Sequence, residues 1–305
     1  MPSIKRAINY LMHNRMQFMD SFIKNLGFMI PDKLYLSLRY RFLMGSWINW
    51  KDPQTFSEKL QWLKLYNRKP VYTMMVDKYA VKEYVANIIG EEYIIPTLGV
   101  WDKPEDIDWA SLPNKFVLKT THGGGGGGVV ICKDKAAFDK ASAIAKLKES
   151  MASDIYSGLR EWPYKDVPKR IIAEKFMAPE KSPAPNDLPD YKFFCFNGMV
   201  RFFKVDFGRF VEHHANYYSP EGELLEFGEQ GLEPDPNYPI ELPNNLGEMI
   251  ALAEKLSANE PFLRVDLFNV NGNIYFGELT FYPASGMLPW TTEEADKEIG
   301  KYLKL

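Results

Sequence analysis

A predicted β-hairpin occupies residues 264–286, which read RVDLFNVNGNIYFGELTFYPASG. Residues 263–268 and 274–281 are runs rich in β-branched and aromatic side chains, and a short segment with Asn and Gly separates them. Two such runs joined by an Asn- and Gly-containing turn are a strong local signal for antiparallel strands. The hairpin carries several charged side chains, so its register decides which of them can act together.

The length of the turn sets this register. A two-residue turn would place Asp266 and Glu278 on opposite faces of the hairpin. A three-residue loop, residues 270–272, would instead place Arg264 opposite Glu278 and leave Asp266 diagonal to that pair. We expect the three-residue loop, which puts Arg264, Asp266, Glu278 and Thr280 on one face.

That face suits a metal ion and a phosphate. Asp266 and Glu278 are hard oxygen ligands of the kind that Mg²⁺ prefers together with substrate phosphate oxygens. The guanidinium of Arg264 suits a developing phosphoryl or acyl anion. A solvated hairpin face with ordinary charges is the alternative. The functional interpretation gains support from residues 281–286, a Pro- and Gly-containing turn directly after the second strand.

Length and composition exclude several classes of protein. The chain has 305 residues, 46% of them apolar, so it can bury a core and form two or three lobes. Its net charge of -3 and pI near 5.9 argue against a nucleic-acid partner. No run reaches the roughly 18 apolar residues that a transmembrane segment needs, and the N-terminus lacks the apolar core of a signal peptide. Cys132 and Cys195 have no partner at metal spacing, which fits a reducing cytoplasm.

Residues 4–26 carry an apolar stripe at helical spacing with basic residues among the polar positions. An amphipathic helix docked on the rest of the protein explains this pattern. Loose attachment to a membrane surface explains it too, and would make the protein peripheral at the inner membrane face. We expect a cytoplasmic protein and leave both interpretations of this helix open.

A run of six glycines, residues 123–128, separates two predicted strands. A dinucleotide fingerprint should open a helix, and no G-K-[ST] follows, so neither a Rossmann turn nor a P-loop is supported. We interpret the run as a flap whose backbone N–H groups close over phosphates, with Gly124, Gly125 and Gly126 at its centre. Lys119, on the preceding strand, would face the same phosphates. A disordered linker between the strands is the alternative.

The rest of the chain mixes helices and short strands and predicts an α+β fold. Helical periodicity covers residues 71–89, 135–156, 246–256 and 293–305, and strand patterns cover residues 92–98, 116–120, 129–132, 171–177, 191–196 and 199–205. Asn197 and Gly198 make the last two strands an antiparallel hairpin. We divide the chain into a helical N-terminal lobe, residues 1–90, a lobe with the glycine flap, residues 91–170, and a lobe with the metal site and a C-terminal helix, residues 171–305.

Two adjacent histidines, His213 and His214, cannot share a face of a helix or a strand, which argues against a two-histidine metal site. We expect one of them either to contact substrate or to have a structural role. The chain shows no Ser, His and Asp order typical of a hydrolase.

The order of these motifs resembles that of the ATP-grasp superfamily and, within it, the TupA-like family of polysaccharide-biosynthesis proteins. The resemblance is close to members of the D-alanine:D-alanine ligase type. It is carried by Asp77-Lys78, by residues 116–119 with the glycine run, by residues 172–177, by Asp190-Tyr191-Lys192, by Arg264-Val265-Asp266 and by Glu278-Leu279-Thr280. Each motif alone is weak, but six in the same order are a specific signal.

The resemblance implies an ATP-grasp fold, in which two α+β lobes with antiparallel sheets clasp ATP, preceded here by the helical lobe. The residues that it assigns to ATP are Lys78, Lys119 and Lys192 at the phosphates, Glu174 and Phe176 at adenine, and Asp190 near the ribose. Those that it assigns to Mg²⁺ are Asp266, Glu278 and Thr280. Arg264 and Lys192 would be catalytic. The family commonly has Asn where this chain has Thr280, a poorer ligand, which leaves the coordination of a second metal open.

The resemblance also implies a carboxylate-amine ligase that uses ATP and Mg²⁺ and forms an acyl phosphate. Its acceptor would be a uronic acid of a surface polysaccharide or its precursor, and its donor an amino acid or another amine. Three alternatives stay open. They are a phosphotransferase acting on a sugar hydroxyl, a glycosyltransferase, for which no DxD-like motif of the right spacing is present, and a non-catalytic relative.

Overall fold

The structure is a computed structural model that describes residues 19–20, 23–24, 27–124, 127–178, 190–207, 213–232, 234–238 and 240–305. The amphipathic stripe predicted at residues 4–26 falls almost wholly outside the described residues. So do Gly125 and Gly126 of the glycine run. None of the described helices is long and apolar enough to cross a membrane.

The described chain begins with four α-helices, after which groups of strands are separated by one or two helices. The α-helices are α1 (Asp32–Met44), α2 (Phe56–Tyr66), α3 (Val71–Val76), α4 (Ala80–Ile89), α5 (Lys140–Ala152), α6 (Ile155–Leu159), α7 (Leu246–Ser257) and α8 (Glu293–Tyr302). The strands are β1 (Thr97–Trp101), β2 (Phe116–Thr120), β3 (Val129–Cys132), β4 (Ile171–Lys175), β5 (Asp190–Phe196), β6 (Met199–Phe207), β7 (His214–Tyr218), β8 (Phe262–Val270) and β9 (Asn273–Thr280). Short 3₁₀ turns include Glu91–Tyr93, Trp162–Tyr164 and Pro283–Gly286.

The strands form two sheets, one of four strands in the order β1-β4-β2-β3 and one of five in the order β7-β6-β5-β8-β9. Every pairing between neighbouring strands is antiparallel. The predicted α+β fold with antiparallel sheets is therefore confirmed. The division into three lobes at residues 90 and 170 stays a prediction.

The helix predicted over residues 71–89 is two helices, α3 and α4. The side chain of Asp77 accepts hydrogen bonds from the backbone N–H of Tyr79 at 2.9 Å and of Ala80 at 3.4 Å. These are the free donors at the start of a helix, so Asp77 ends one helix and begins the next. Lys78 lies in the break, where its side chain can point away from both helices.

The strand predicted at residues 92–98 is wrong in position. A 3₁₀ turn takes up its first part, and the strand β1 begins only after Pro96. Proline has no N–H for the ladder, but the carbonyl of Pro96 accepts a hydrogen bond from Lys175 N at 3.0 Å. The helix predicted at residues 135–156 is also shorter, because Asp139 and Asp154 cap the starts of α5 and α6.

The predicted three-residue loop of the β8–β9 hairpin is wrong as well. Val270 pairs with Asn273, so the turn has two residues, Asn271 and Gly272, both with positive φ (54° and 84°). With regular pairing, that turn would place Asp266 and Glu278 on opposite faces of the hairpin. A β-bulge at Gly277 shifts the pairing by one residue and restores their alignment.

Glycine suits the bulge, because a Cβ atom at Gly277 would lie 3.0 Å from the carbonyl oxygen of Asp266, closer than most Cβ contacts. Beyond the bulge Asp266 pairs with Glu278 and Arg264 with Thr280. The shared face was therefore predicted correctly, but from an incorrect turn. The predicted pairing of Arg264 with Glu278 is wrong, because the bulge places Asp266 opposite Glu278.

One face of the five-stranded sheet is polar at one end and aromatic at the other. On β5, the period of two places Lys192 and Phe194 on the same face, and Phe194 pairs with Arg264 on β8. Helix α2 covers the aromatic end through Phe56, whose ring centroid lies 4.9 Å from that of Phe262. The polar end is left for the candidate site.

Candidate functional site

Four side chains of the β8–β9 hairpin form one hydrogen-bonded group. Arg264 donates through Nε and Nη2 to the two carboxylate oxygens of Asp266, both at 2.7 Å. Its Nη2 also donates to Glu278 Oε1 at 2.9 Å and to Thr280 Oγ1 at 3.0 Å. Thr280 donates to the same oxygen of Glu278 at 3.1 Å. The hairpin thus presents two carboxylates, a hydroxyl and a guanidinium together.

Burial and neighbouring cations set the protonation of the two carboxylates. Burial raises the pKa of Asp266 to about 6, although Arg264 and Lys192 lower it. Burial also raises the pKa of Glu278, but Lys78, Arg264 and Lys192 outweigh it and lower this pKa to about 2. The Glu278 side chain is 40% exposed, so burial raises its pKa less than the three cations lower it. Glu278 is therefore ionised at neutral pH, as a metal ligand has to be.

Lys192, on the neighbouring strand β5, lies among three carboxylates. Its Nζ contacts Asp190, lies 2.9 Å from Asp206 Oδ2 and lies 3.9 Å from Asp266 Oδ2. Burial lowers the pKa of Lys192, but these carboxylates raise it above its ordinary value. The ammonium group therefore stays charged in a buried position beside the hairpin group.

Asp206 is a residue that the sequence analysis missed. It pairs with Asp190 across the β5–β6 ladder, and Lys204 pairs with Lys192 one row further along. Alternation along β6 offered a signal for it, because Lys204 and Asp206 are charged residues two positions apart in the mostly apolar second half of the strand.

Further ion pairs join Asp206 to Lys204 and Lys204 to Glu229. Lys204 Nζ lies 3.6 Å from Asp206 Oδ1 and 2.6 Å from Glu229 Oε2. His213 Nε2 lies 3.0 Å from Asp206 Oδ1. One of the two histidines therefore reaches the candidate site through Asp206, and a role in substrate contact stays a prediction.

Lys78 joins the hairpin group from the break between α3 and α4. Its Nζ lies 3.4 Å from Glu278 Oε2. A small cleft at this pair is lined by Lys78, Tyr164, Gly277 and Glu278. Tyr164 belongs to a 3₁₀ turn without a recognisable motif, so the sequence offered no signal for it.

Glu174 and Lys119 form a separate group in the four-stranded sheet. Glu174 lies 2.6 Å from Lys119 Nζ and 2.5 Å from Lys82 Nζ. Burial raises the pKa of Glu174, but the two lysines hold it below its ordinary value. Phe176 follows this strand and is half-buried. Among the described residues, no ion pair joins Lys119 or Glu174 to the hairpin group.

The described ends of the glycine run lie against a pair of hydroxyls. Thr120 Oγ1 and Ser150 Oγ are 2.7 Å apart. A Cβ atom at Gly128 would lie 2.2 Å from Thr120 Oγ1, and one at Gly123 would lie 2.5 Å from it. Glycine is therefore required at both ends of the run for space. Gly124 is exposed.

The donor set of the hairpin fits Mg²⁺. Asp266 and Glu278 supply two carboxylates, and Thr280 supplies a neutral oxygen. Magnesium takes one or two protein carboxylates and completes its shell with water and substrate phosphate oxygens. Within the described residues, no group of three or more His, Cys, Asp or Glu side chains could hold a metal unaided. The set is therefore typical of an open site that is shared with a phosphate-bearing substrate.

Comparisons with known proteins were made for sequence and structure. The model of the family described as TupA-like ATPgrasp matches residues 58–304. A search of characterised proteins found no match.

Several solved structures resemble the chain at low identity. The D-alanine-D-alanine ligase from Helicobacter pylori is 15% identical, with a TM-score of 0.42, over 81% of this chain and 69% of that protein. The D-alanine–D-alanine ligase from Bacillus anthracis complexed with ATP is 18% identical, with a TM-score of 0.39, over 68% of this chain and 54% of that protein. The ADP complex of PurK, N5-carboxyaminoimidazole ribonucleotide synthetase, is 16% identical, with a TM-score of 0.43, over 73% of this chain and 50% of that protein.

Proposed function

The chain belongs to the TupA-like ATP-grasp family, and from this premise we propose that it is an ATP-dependent ligase that joins a carboxylate to an amine. The observation that carries the proposal is the hairpin group, in which Arg264, Asp266 and Glu278 converge within hydrogen-bond distance. This combination provides a cation for a developing anion and oxygen ligands for a metal-bound nucleotide.

The nucleotide would lie between the two sheets. We assign Lys78, Lys119 and the glycine run around Gly124, Gly125 and Gly126 to the phosphates. Adenine would be received by Glu174 and the backbone near Phe176, and Asp190 would lie near the ribose. The contact between Lys119 and Glu174 at 2.6 Å supports placing these two residues in one subsite.

Mg²⁺ would be held by Asp266, Glu278 and Thr280. When bound, the ion neutralises charge on the phosphates. Lys78 is already at Glu278, which is where the terminal phosphate would approach the metal ligands. Threonine in place of the more common asparagine keeps a neutral oxygen at this position.

The chemistry needs alignment and charge neutralisation more than a covalent nucleophile on the protein. The acceptor carboxylate would attack the γ-phosphorus of ATP, so that ADP leaves and an acyl phosphate forms. The amine would then attack the acyl carbon, phosphate would leave, and an amide would result. Arg264 would stabilise the anion that develops at the acyl group, and Lys192 would hold the transferred phosphate.

The substrate classes in this proposal come from the family. The acceptor is a uronic acid of a surface polysaccharide, capsular or cell-wall, or of its precursor, and the donor is an amino acid or another amine. We place the reaction in the cytoplasm or at the inner membrane face, where ATP and such precursors meet.

A nucleotide product assay tests the proposal. Purified protein is incubated with Mg-ATP and mixtures of uronic acids and amino acids, while ADP, free phosphate and product mass are followed together. A ligase releases ADP and phosphate only when acid and amine are both present, and its product is lighter than their sum by one water. Phosphate retained on the acceptor would instead identify a phosphotransferase. Sugar transfer from a nucleotide sugar supplied in a parallel mixture, without ATP consumption, would identify a glycosyltransferase.

A further inference from the structure

The break between α3 and α4 reaches both groups of charged residues described above. Lys78, in the break, places its Nζ 3.4 Å from Glu278 Oε2 of the hairpin group. Lys82, four positions further along the chain, lies 2.5 Å from Glu174 in the four-stranded sheet. The break is therefore the segment that connects the phosphate and adenine subsites of the proposed function.

The backbone of the break is bound to the strand end that leads into the glycine run. Lys78 N donates a hydrogen bond to the carbonyl oxygen of Thr121 at 3.0 Å. Thr121 directly follows β2, is fully buried, and precedes the first glycine of the run by two residues. Lys78 is thus held at two places, through its backbone at the base of the glycine run and through its side chain at the hairpin group.

An ion pair makes the same connection. Arg170 Nη2 donates to Asp77 Oδ2 at 2.6 Å, and Asp77 is buried, at 2% exposure. The backbone of Arg170 is in turn fixed to Thr121, because Thr121 N donates to Arg170 O at 2.8 Å and Arg170 N donates to Thr121 Oγ1 at 3.0 Å. Moving the break away from the base of the run would leave a buried carboxylate without its cation, which is costly.

The two carboxylate oxygens of Asp77 have separate partners. Oδ1 accepts hydrogen bonds from the backbone N–H groups of Tyr79 and Ala80 at the start of α4, whereas Oδ2 accepts from Arg170. The guanidinium of Arg170 also lies over the ring of Tyr79, 4.8 Å from its centroid. The helix cap and the ion pair therefore share one residue but can be disturbed one at a time.

We propose that Asp77 and Arg170 are positioning residues for Lys78. Their ion pair fixes the break on the base of the glycine run and so keeps the ammonium group of Lys78 beside Glu278, where the nucleotide phosphates would bind. The inference rests on the proposed function, which assigns Lys78 to those phosphates. Arg170 acts through Asp77 and Lys78 and does not itself contact the nucleotide.

Two variants break the ion pair in different ways. In Asp77→Asn one oxygen still caps α4, while the amide nitrogen faces the donors of Arg170 and cannot pair with them. In Arg170→Met an apolar side chain stays beside Tyr79 but the cation is lost. Asp139 caps the exposed start of α5, and the exposed guanidinium of Arg201 also lies over a tyrosine ring, so Asp139→Asn and Arg201→Met are the matched controls.

Calorimetry measures the affinity of each protein for AMP-PNP, a non-hydrolysable ATP analogue, in the presence of Mg²⁺, and circular dichroism checks the fold. We expect each pair variant to bind about tenfold more weakly than the wild type, a loss typical of a removed positioning contact. The double variant should bind within about twofold of either single one, because both changes remove the same contact. The controls should match the wild type. If Arg170→Met does not fold, Asp77→Asn decides the test.

A third variant, Lys78→Met, distinguishes positioning from a purely structural role. We expect it to weaken AMP-PNP binding by about 30-fold, since a hydrogen-bonded cation at the phosphates is lost. Adding Asp77→Asn to Lys78→Met should then weaken binding by less than about twofold, because the lysine that the pair positions is already absent. A further tenfold loss in this background, or wild-type affinity in both pair variants, would overturn the inference.

The binding measurements and the nucleotide product assay fail independently. Pair variants that lose AMP-PNP affinity only when Lys78 is present would support the inference even if no mixture of acid and amine gave an amide. Amide formation by the wild type together with normal AMP-PNP affinity in the pair variants would reject the inference and leave the ligase in place. Absence of AMP-PNP binding by the wild type would overturn the inference together with the assignment of Lys78 to the phosphates.

Discussion

Glu278 is the residue on which both the metal and the phosphates are expected to depend. It accepts a hydrogen bond from Arg264 at 2.9 Å and lies 3.4 Å from Lys78 Nζ. Glu278→Gln keeps the shape but removes the charge of this metal ligand. We expect the fold to persist and Mg²⁺-dependent ATP turnover to fall by about 100-fold, a loss typical of a disturbed metal site.

The measurement is ATP turnover as a function of Mg²⁺ concentration, with circular dichroism to check the fold. Exposed Glu294→Gln is the control, because it removes the same charge away from the site. Turnover of Glu278→Gln equal to that of the wild type would remove this residue from the site.

His122 should make the stability of the protein depend on pH. It is 3% exposed, its Nε2 lies 3.2 Å from the carbonyl oxygen of Ser150, and its Nδ1 has no partner among the described residues. Burial, and to a lesser degree Lys169, lower its pKa below the ordinary 6.5. Between the two pKa values the unfolded chain binds more protons than the folded one, so stability falls as pH drops below about 6.5.

Urea unfolding of the wild type and His122→Gln between pH 5 and 7.5 tests this effect. The wild type should lose up to ~1.4 kcal/mol per pH unit through this one group, and the variant should lose correspondingly less. Identical slopes for the two proteins would show that His122 takes up its proton equally in both states.

At the scale of elements, the glycine run offers a matched pair of substitutions. A Cβ atom at Gly128 would lie 2.2 Å from Thr120 Oγ1 and 2.4 Å from Ser150 Oγ, whereas one at Gly127 would meet nothing within 4 Å. Gly128→Ala should therefore displace the base of the flap, and Gly127→Ala should not. We expect about a tenfold loss of Mg-ADP affinity in Gly128→Ala alone, because flap N–H groups would be misplaced.

Isothermal titration calorimetry with Mg-ADP measures this difference. Equal losses of affinity in both variants would indicate that reduced backbone flexibility, and not a steric clash at residue 128, is the cause. Unchanged affinity in both would mean that the run does not contact the nucleotide.

At the scale of the whole molecule, Phe56 joins the helical part of the chain to the five-stranded sheet. It is 2% exposed, and its ring centroid lies 5.5 Å from that of Phe196 and 4.9 Å from that of Phe262. Phe56→Ala should lower the free energy of unfolding by ~3–5 kcal/mol through lost burial and a cavity.

Urea denaturation of Phe56→Ala measures this loss, with Leu34→Ala on the exposed face of α1 as the control, where Leu34 is 52% exposed. A loss below ~1 kcal/mol would be typical of a surface substitution. It would show that α2 packs only loosely on the five-stranded sheet.

Much of the architecture followed from local patterns. Strands β2 and β3 lie where alternation and β-branched residues predicted them, and the Asn197–Gly198 turn produced the expected hairpin, with both residues at positive φ. Helix α7 also matches its apolar periodicity. These signals are short-range: a turn residue, a helical stripe and a run of β-branched side chains each act on a few neighbouring residues.

The charged residues of the β8–β9 hairpin could be recognised in the same way, but their register could not. It depends on a bulge at Gly277, which forms where the backbone passes close to Asp266. A glycine inside a strand often marks a bulge, but the local sequence does not give the register that results. The predicted face was right although the turn was wrong, because the bulge at Gly277 returns Asp266 and Glu278 to one face, which the sequence analysis had attributed to a three-residue loop.

The amino-acid sequence was therefore sufficient for the family, the α+β architecture and the hairpin that carries Arg264, Asp266 and Glu278, since motif order and strand alternation are local properties. Folding was needed to place Asp206 beside Lys192, Lys82 beside Glu174, and Gln61 beside Ser285. The last of these contacts joins residues 224 positions apart. Such contacts depend on which surfaces the packed helices and sheets bring together, and neither spacing nor propensity records that information.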